Sequence, residues 1–169
     1  MTIGVLFVCT ANICRSPMAK GVFRTLVRRA GYADVFDIDS AGTFDGHVGQ
    51  PASLLARETT ARRGYDISDH RARLLANEDL DRFDFPLAMD KTHLAAMRWI
   101  APRGKMDRPQ MFMRFAPHIG VAEVADPYGG PATGYERALD LIESGCNGLL
   151  EMLRPAAEKA MSLQVRPAG

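Results

Sequence analysis

The chain has 169 residues, of which 47% are hydrophobic and 24% charged, and its formal net charge is +1. This composition is typical of one globular domain, and the balanced charge predicts no broad surface for nucleic acid or an anionic membrane. The chain has only three cysteines, which is a small and odd number and does not suit a secreted disulfide framework. They are Cys9, Cys14 and Cys146. No apolar run reaches the roughly 18 residues of a membrane span, and no leader with a cleavage site opens the sequence. We therefore expect a cytoplasmic protein without a membrane span.

The first part of the chain predicts a strand, a short loop and a helix. Residues 3–8 are apolar on both faces, as in a central strand of a parallel sheet. Ser16 as N-cap and Pro17 at the first helical position predict a helix that ends at Gly31. Its apolar positions recur at helical spacing: Met18, Val22, Phe23, Leu26, Val27 and Ala30.

Strands and helices continue to alternate along the rest of the chain. Three more strands are predicted, at residues 35–41, 83–89 and 110–115. Further helices are predicted at residues 51–63, 77–82 and 92–100. The last helix begins near Thr133, which has the spacing of a capping box with Glu136. One apolar stripe follows on that helix: Leu139, Ile142, Cys146, Leu149, Leu150 and Leu153.

This alternation predicts an α/β fold in a single domain, with a doubly wound, four-stranded parallel sheet flanked by helices. We expect the domain over residues 1–158 and a loosely ordered tail at 159–169. In such folds ligands bind at the carboxyl ends of the strands, where loops lead into helix N-termini. The loop of residues 9–16, directly after the first strand, occupies that place.

The loop of residues 9–16 has the chemistry of a phosphate-binding loop. Cys9 and Arg15 stand six residues apart around the strand-to-helix turn. Consecutive backbone amides can surround an anion, the helix N-terminus adds its positive dipole end, and Arg15 can pair with two phosphoryl oxygens. The same positive field favours the thiolate of Cys9, which is the nucleophilic form. The alternative, a buried strand cysteine followed by a surface arginine, places a cation against the helix dipole.

Residues 8–17, with the sequence Val-Cys-Thr-Ala-Asn-Ile-Cys-Arg-Ser-Pro, closely resemble the loop of the low-molecular-weight protein tyrosine phosphatases, and of bacterial-type members in particular. The resemblance covers roughly residues 3–155. Further segments match the family in the same order: Asp39-Ser40-Ala41-Gly42-Thr43, Asp69-His70-Arg71-Ala72-Arg73, Met89-Asp90 and Asp126-Pro127-Tyr128.

The resemblance implies a metal-independent phosphatase that hydrolyses phosphotyrosine or aryl phosphate monoesters. Cys9 would form a cysteinyl-phosphate while Asp126 protonates the leaving phenolate, and Asp126 would then activate water. Arg15 and the loop amides would hold the phosphoryl oxygens, so we expect no metal and no cofactor. The expected partners are a phosphorylated protein or small aryl phosphate, and a phosphate or sulfate ion in the loop. The family's loop and its supporting network match these residues: Thr10, Ala11, Asn12, Ile13, Cys14, Ser16, Ser40, His70 and Asp90.

The sequence departs from the family at three positions. Ala11 replaces a loop glycine, at a cost of roughly 1 kcal/mol if that residue needs a positive φ. Gly46 and Gly129 stand where the family has aromatic residues that wall the slot for the substrate ring. We therefore expect a wider and less apolar cleft, with reduced selectivity for phenyl rings. The cleft residues would be Phe44, Gly46, His47, Tyr128 and Gly129.

Three other functions remain as alternatives. An arsenate reductase of the same fold needs further cysteines near the loop, and the chain has none between Lys20 and Gly145. A protein-arginine phosphatase resembles this loop but carries Thr in place of Ile13. A phosphate-binding module without turnover would not need Cys9, Arg15 and Asp126 together. The remaining histidines, which show no metal-ligand spacing, are His47, His93 and His118. We expect the protein to be a monomer or a weak dimer.

Overall fold

The computed structural model describes residues 1–164 and contains one parallel sheet. Its four strands lie in the order β2-β1-β3-β4, and every pairing is parallel. The predicted fold class is therefore confirmed. The strands are β1 Ile3–Cys9, β2 Phe36–Gly42, β3 Phe85–Ala88 and β4 Gln110–Met111. The helices are α1 Arg15–Arg29, α2 Leu54–Arg62, α3 Asp79–Arg82, α4 Lys91–Ile100 and α5 Ala132–Gln164.

Strand β1 is central because it is apolar on both faces. All of its residues are buried, and it pairs with β2 on one side and β3 on the other. Successive side chains of a strand point to opposite faces. Val5 and Phe7 belong to the larger core cluster with α1 and α5, whereas Leu6 and Val8 belong to a smaller cluster with Met97 of α4. The last residue of β1 thus lies between two packed layers.

Helix α1 begins earlier than the sequence predicts. It starts at Arg15, the N-cap is Cys14 without a side-chain cap bond, and Ser16 therefore lies inside the first turn. The prediction of Ser16 as N-cap is wrong because its hydroxyl contacts the side chains of Cys9 and Asn12 instead. None of the helices within residues 1–164 is long and apolar enough to cross a membrane.

The predicted strand at 110–115 is mostly helical. Only Gln110–Met111 pairs with β3, and Phe112–Phe115 forms a 3-10 helix. This turn directs the ring of Phe112 against α5, so closely that a Cβ on Gly145 would collide with the ring. Close packing on the long helix therefore replaces further strand pairing.

Helix α5 is longer than predicted at both ends. It begins at Ala132, so Thr133 lies inside the helix and not at its N-cap, and the predicted capping box is wrong. Glu136 instead pairs with Arg62 and Arg63. The helix continues through Pro155 to Gln164 because its apolar stripe stays in the core, so the predicted loose tail is wrong for residues 159–164. Residues 165–169 lie outside the described part of the chain.

Candidate active site

The loop between β1 and α1 brings the sulfur of Cys9 to the N-terminus of a helix. Cys9 is buried, and its Sγ lies 2.9 Å from Oγ of Ser16. The amide Nδ2 of Asn12 donates to the same Oγ at 2.8 Å. Because this bond uses a lone pair of the hydroxyl, Ser16 can donate its proton to the sulfur.

Asn12 fixes the shape of the loop. It is the one non-glycine residue with a positive φ (56°) in the described chain, a conformation that Asn tolerates better than most residues. Its Nδ2 also donates to Ser40 Oγ at 3.0 Å, and its Oδ1 accepts from the backbone of Arg73 at 3.0 Å. Ala11 does not adopt a positive φ, so the strain expected at that position is absent.

His70 supports the same turn from behind the loop. Its Nε2 lies 2.6 Å from the carbonyl oxygen of Asn12, and its side chain is buried. Burial lowers the pKa of His70, so the ring is neutral at pH 7 and donates from Nε2 to the carbonyl. Segments 70–73 and β2 therefore hold a loop that belongs to β1 and α1.

Arg15 is buried and held in a fixed orientation. Its Nη1 donates to Oδ2 of Asp90 and to the carbonyl oxygen of Val124, both at 2.9 Å. Its Nη2 lies 3.4 Å from Oγ1 of Thr10 and 3.5 Å from Oδ2 of Asp126. Its Nε has no hydrogen-bond acceptor among residues 1–164. A buried cation with an unpaired N–H beside a turn of backbone amides is suited to an anion.

Sequence reasoning missed several residues that contact the loop. His93 is buried, with Nε2 2.8 Å from Oγ1 of Thr10. Ser53 and Tyr135 contact Sγ of Cys14 at 3.3 and 3.5 Å, and burial raises the pKa of that thiol. The spacing of Asp90 and His93, which form a capping box on α4, was the one available signal.

A cavity of about 160 Å³ opens above the loop, and most predicted residues line it. Asn12, Ser16, Ser40, His70 and Asp90 are absent from its lining and act only through contacts behind the loop. The lining residues are Cys9, Thr10, Ala11, Ile13, Cys14, Arg15, Phe44, His47, Asp126 and Tyr128.

The cleft walls differ from the sequence-based expectation. Gly46 and Gly129 do not line the cavity. A Cβ on Gly46 would collide with Cε1 of Phe44, so the Phe44 ring already fills the space beside Gly46. Gly129 has φ +76°, and a Cβ added to it would have no neighbour within 4 Å. Phe44, His47 and Tyr128 instead form a row of rings, with centroids 6.4 and 6.0 Å apart.

The parallel sheet, the loop of amides and the buried arginine define an oxyanion-binding α/β protein with a cysteine at the anion site. A family model described as "Low molecular weight phosphotyrosine protein phosphatase" matches residues 4–159. A low molecular weight protein-tyrosine-phosphatase of Streptomyces coelicolor is 38% identical over 161 residues, which cover 94% of this chain and 98% of the relative.

Solved structures agree with the sequence relatives. The protein tyrosine phosphatase of Entamoeba histolytica superposes with a TM-score of 0.87 at 31% identity, over 92% of this chain and 99% of that chain. Wzb of Vibrio vulnificus, in complex with benzylphosphonate, gives 0.79 at 26% identity, over 90% and 100% of the two chains. The chain belongs to the low molecular weight protein-tyrosine phosphatases, and the predicted family and enzyme class are confirmed.

Proposed function

We propose that this protein hydrolyses phosphotyrosine and aryl phosphate monoesters through a cysteinyl-phosphate, without a metal. One observation carries the proposal: Cys9, Arg15 and Asp126 all line one cavity. The cavity thus combines a nucleophile, a cationic clamp and an acid in the arrangement that an in-line displacement requires.

In the first step the Cys9 thiolate attacks phosphorus, and the bond between phosphorus and the phenolic oxygen breaks. Asp126 donates a proton to that oxygen, so that a neutral phenol leaves. Its side chain is half exposed and reaches within 3.5 Å of Arg15 Nη2. Arg15 and the loop amides hold the equatorial oxygens while the charge moves from sulfur to the leaving group.

In the second step a water molecule attacks the phosphorus of the cysteinyl-phosphate. Asp126, now ionised, takes a proton from that water, and the bond between sulfur and phosphorus breaks. Phosphate leaves and the Cys9 thiolate is regenerated, with Ser16 positioned to donate to it. No net redox change occurs in the cycle.

The ring-lined cleft supports an aromatic ester as substrate. Phe44 and Tyr128 are 51% and 59% exposed, so their rings present apolar surface to a substrate phenyl group. The related Wzb structure holds benzylphosphonate, a phosphonate that carries a phenyl ring. These features support a phosphorylated protein or small aryl phosphate as substrate, with phosphate or sulfate as the ion bound in the loop.

The cellular setting remains part of the proposal. A reducing compartment, most simply the cytoplasm, suits a protein whose nucleophile must stay a thiolate. We also retain the prediction of a monomer or weak dimer, which size-exclusion chromatography with light scattering would test.

The other functions on this fold receive less support. Cys146 is fully buried in α5, and its Sγ contacts the carbonyl oxygen of Ala19, so it is unsuited to a thiol relay for arsenate reduction. Ile13 lines the cavity, where the arginine-directed phosphatases carry Thr. A binding module without turnover would not need an acidic residue such as Asp126 in the lining of an anion site.

Hydrolysis of para-nitrophenyl phosphate with and without EDTA tests the proposal. We expect full activity in EDTA, loss of activity in Cys9→Ser, and retained activity in the control Cys146→Ala. Peptides carrying phosphotyrosine, phosphoserine or phosphoarginine would then be compared, and phosphotyrosine should be preferred. Activity that EDTA abolishes, or that survives in Cys9→Ser, would overturn the mechanism.

A further inference from the structure

His93 connects the start of α4 to the phosphate-binding loop. It is the third residue of α4, and its side chain is 1% exposed. Both ring nitrogens have partners: Nδ1 lies 3.2 Å from the backbone nitrogen of Asp90, and Nε2 lies 2.8 Å from Oγ1 of Thr10. The ring therefore bridges the helix cap and a side chain that lines the cavity.

The partner at Nδ1 determines where the ring carries its proton. A backbone N–H can only donate, so Nδ1 must accept from Asp90 and carries no proton. The opposite arrangement would donate from Nδ1 to Oδ1 of Asp90, which already accepts three hydrogen bonds from Thr92 and from the backbone of His93. It would also leave the Asp90 N–H without an acceptor.

The ring is neutral at physiological pH, because burial lowers the pKa of His93 to about 4. Its single proton then lies on Nε2, and His93 donates to Oγ1 of Thr10. The same oxygen also faces Nη2 of Arg15 at 3.4 Å. A hydroxyl oxygen has two lone pairs and one proton, so with both lone pairs engaged Thr10 can act only as a donor.

We propose that His93 fixes Thr10 as a hydrogen-bond donor to the phosphoryl group in the cavity. Thr10 would then bind a non-bridging oxygen of the substrate, and His93 would be a positioning residue that acts through Thr10. The inference rests on the proposed function, because it adds one donor to the same oxyanion site. It also assigns Thr10 to the recognition of the phosphoryl group, separate from the aromatic wall that faces the ester.

The pair Thr10→Val and Thr10→Ser tests the donor. Val has nearly the shape of Thr without the hydroxyl, and Ser retains the hydroxyl. Thr10 is exposed, so neither change should unfold the protein. We expect Thr10→Val to raise the inhibition constant of inorganic phosphate about 10-fold, as a lost bond to a charged group predicts, while Thr10→Ser stays near wild type. The Michaelis constant for para-nitrophenyl phosphate should rise with it.

A double-mutant cycle tests the role of His93. His93→Gln can still accept from the Asp90 N–H and donate to Thr10, and Gln is favoured at this capping position, so it should preserve phosphate binding. His93→Leu should weaken it about as much as Thr10→Val, and should have no further effect in the Thr10→Val background. Thermal unfolding of each variant checks that folding is intact.

The outcomes separate this inference from the proposed function. If the wild type neither binds phosphate nor hydrolyses para-nitrophenyl phosphate, the proposed function fails. If the wild type does both, and Thr10→Val binds phosphate as well as Thr10→Ser does, the donor assignment is wrong. If the losses of phosphate-binding free energy in His93→Leu and Thr10→Val add in the double variant, His93 does not act through Thr10.

Discussion

One oxygen of the Asp90 carboxylate binds Arg15, and the other caps the N-terminus of helix α4. Its Oδ2 lies 2.9 Å from Nη1 of Arg15, while its Oδ1 accepts from the backbone N–H groups of Thr92 and His93 at 2.9 and 3.2 Å. The residue that caps the helix thus also orients the proposed phosphate clamp. Stability of α4 and the geometry of Arg15 are coupled at this one side chain.

Asp90→Asn and Asp90→Ala should separate these two roles. Asn is a good N-cap, so Asp90→Asn should lose mainly the charge beside Arg15, whereas Ala should also lose the cap, worth about 1 kcal/mol. Both variants should bind phosphate less well than wild type, and Asp90→Ala should be the less stable of the two in urea unfolding. Equal stability of the two variants would show that the cap contributes nothing.

The free energy of unfolding should decrease as the pH is lowered from 7 towards 4. The pKa of His93 is lowered to about 4 by burial, and burial also lowers the pKa of His70. An unfolded histidine titrates at about 6.5, so between these values the unfolded chain binds protons that the folded chain does not. Protonation therefore favours unfolding in that range.

Urea unfolding at pH 7 and pH 5 would measure this effect. His93→Gln removes one of the two groups, so its loss of stability between the two pH values should be smaller than that of wild type. The matched control is His118→Gln, which changes an exposed side chain in a 3-10 turn. An unchanged pH dependence in His93→Gln would contradict the burial of a neutral ring.

Asp126→Asn should slow esters with poor leaving groups by roughly 10²–10⁴-fold. Esters of strongly acidic phenols need less protonation, so their rates should fall less. The measurement is kcat/KM across a series of aryl phosphates that differ in the acidity of the phenol. Equal losses across the series would show that Asp126 is not the general acid.

Peroxide should oxidise Cys9 to a sulfenic acid, and the thiol of Cys14 should then displace water to form a disulfide. Both cysteines are free and buried in the same short loop. Mass spectrometry should detect the Cys9–Cys14 link, and dithiothreitol should restore activity. Cys14→Ser is the control and should lose activity irreversibly. Irreversible sulfinic acid at Cys9 in the wild type would rule out this protection.

Phe44 should carry much of the affinity for the substrate ring, because it occupies the wall beside Gly46. Phe44→Ala should raise the Michaelis constant for phosphotyrosyl peptides several-fold, as expected for about 1 kcal/mol of ring contact, with little change in kcat. Val48→Ala, at another exposed apolar position nearby in the chain, is the control.

The same geometry changes the expected effect of restoring aromatic residues. Gly46→Trp must first displace the Phe44 ring, and Gly129→Tyr places a side chain on a left-handed backbone conformation at a residue that does not line the cavity. Neither variant should improve phosphotyrosine binding. A lower Michaelis constant in either one would show that the cleft is open, as the sequence alone indicates.

The sequence predicted the features that depend on local pattern. The apolar run of β1, the helices and the loop chemistry follow from neighbouring residues, and the sheet follows from their alternation. Ser16 was misplaced as a cap because its partners, Cys9 and Asn12, depend on how the loop curls. The length of β4 was overestimated because Phe112 packs on Gly145, a contact between segments far apart in the chain.

In the site, too, residues in local motifs could be predicted, whereas contacts between distant segments could not. Cys9, Arg15 and Asp126 were predictable from motif and order, and the cavity brings them together. His93 was not, because a histidine without ligand spacing gives no sign that it will meet Thr10. Gly46 and Gly129 were predicted to leave the cleft wide, but neither lines the cavity, and the ring of Phe44 occupies the space beside Gly46. The conformation of Phe44 depends on its loop and could not be read from its identity.

The hydrogen bonds that hold Asn12 join it to residues that are synthesised much later than the loop itself. Its partners Ser40, His70 and Arg73 come 28, 58 and 61 residues later in the chain. Cys9 and Arg15 leave the ribosome early, but the turn between them has no support until those segments follow. A chain cut before residue 70 would carry the cysteine and the arginine without the contacts of His70 and Arg73 to the turn between them. The contacts that shape the anion site therefore form only after residue 73 has joined the fold.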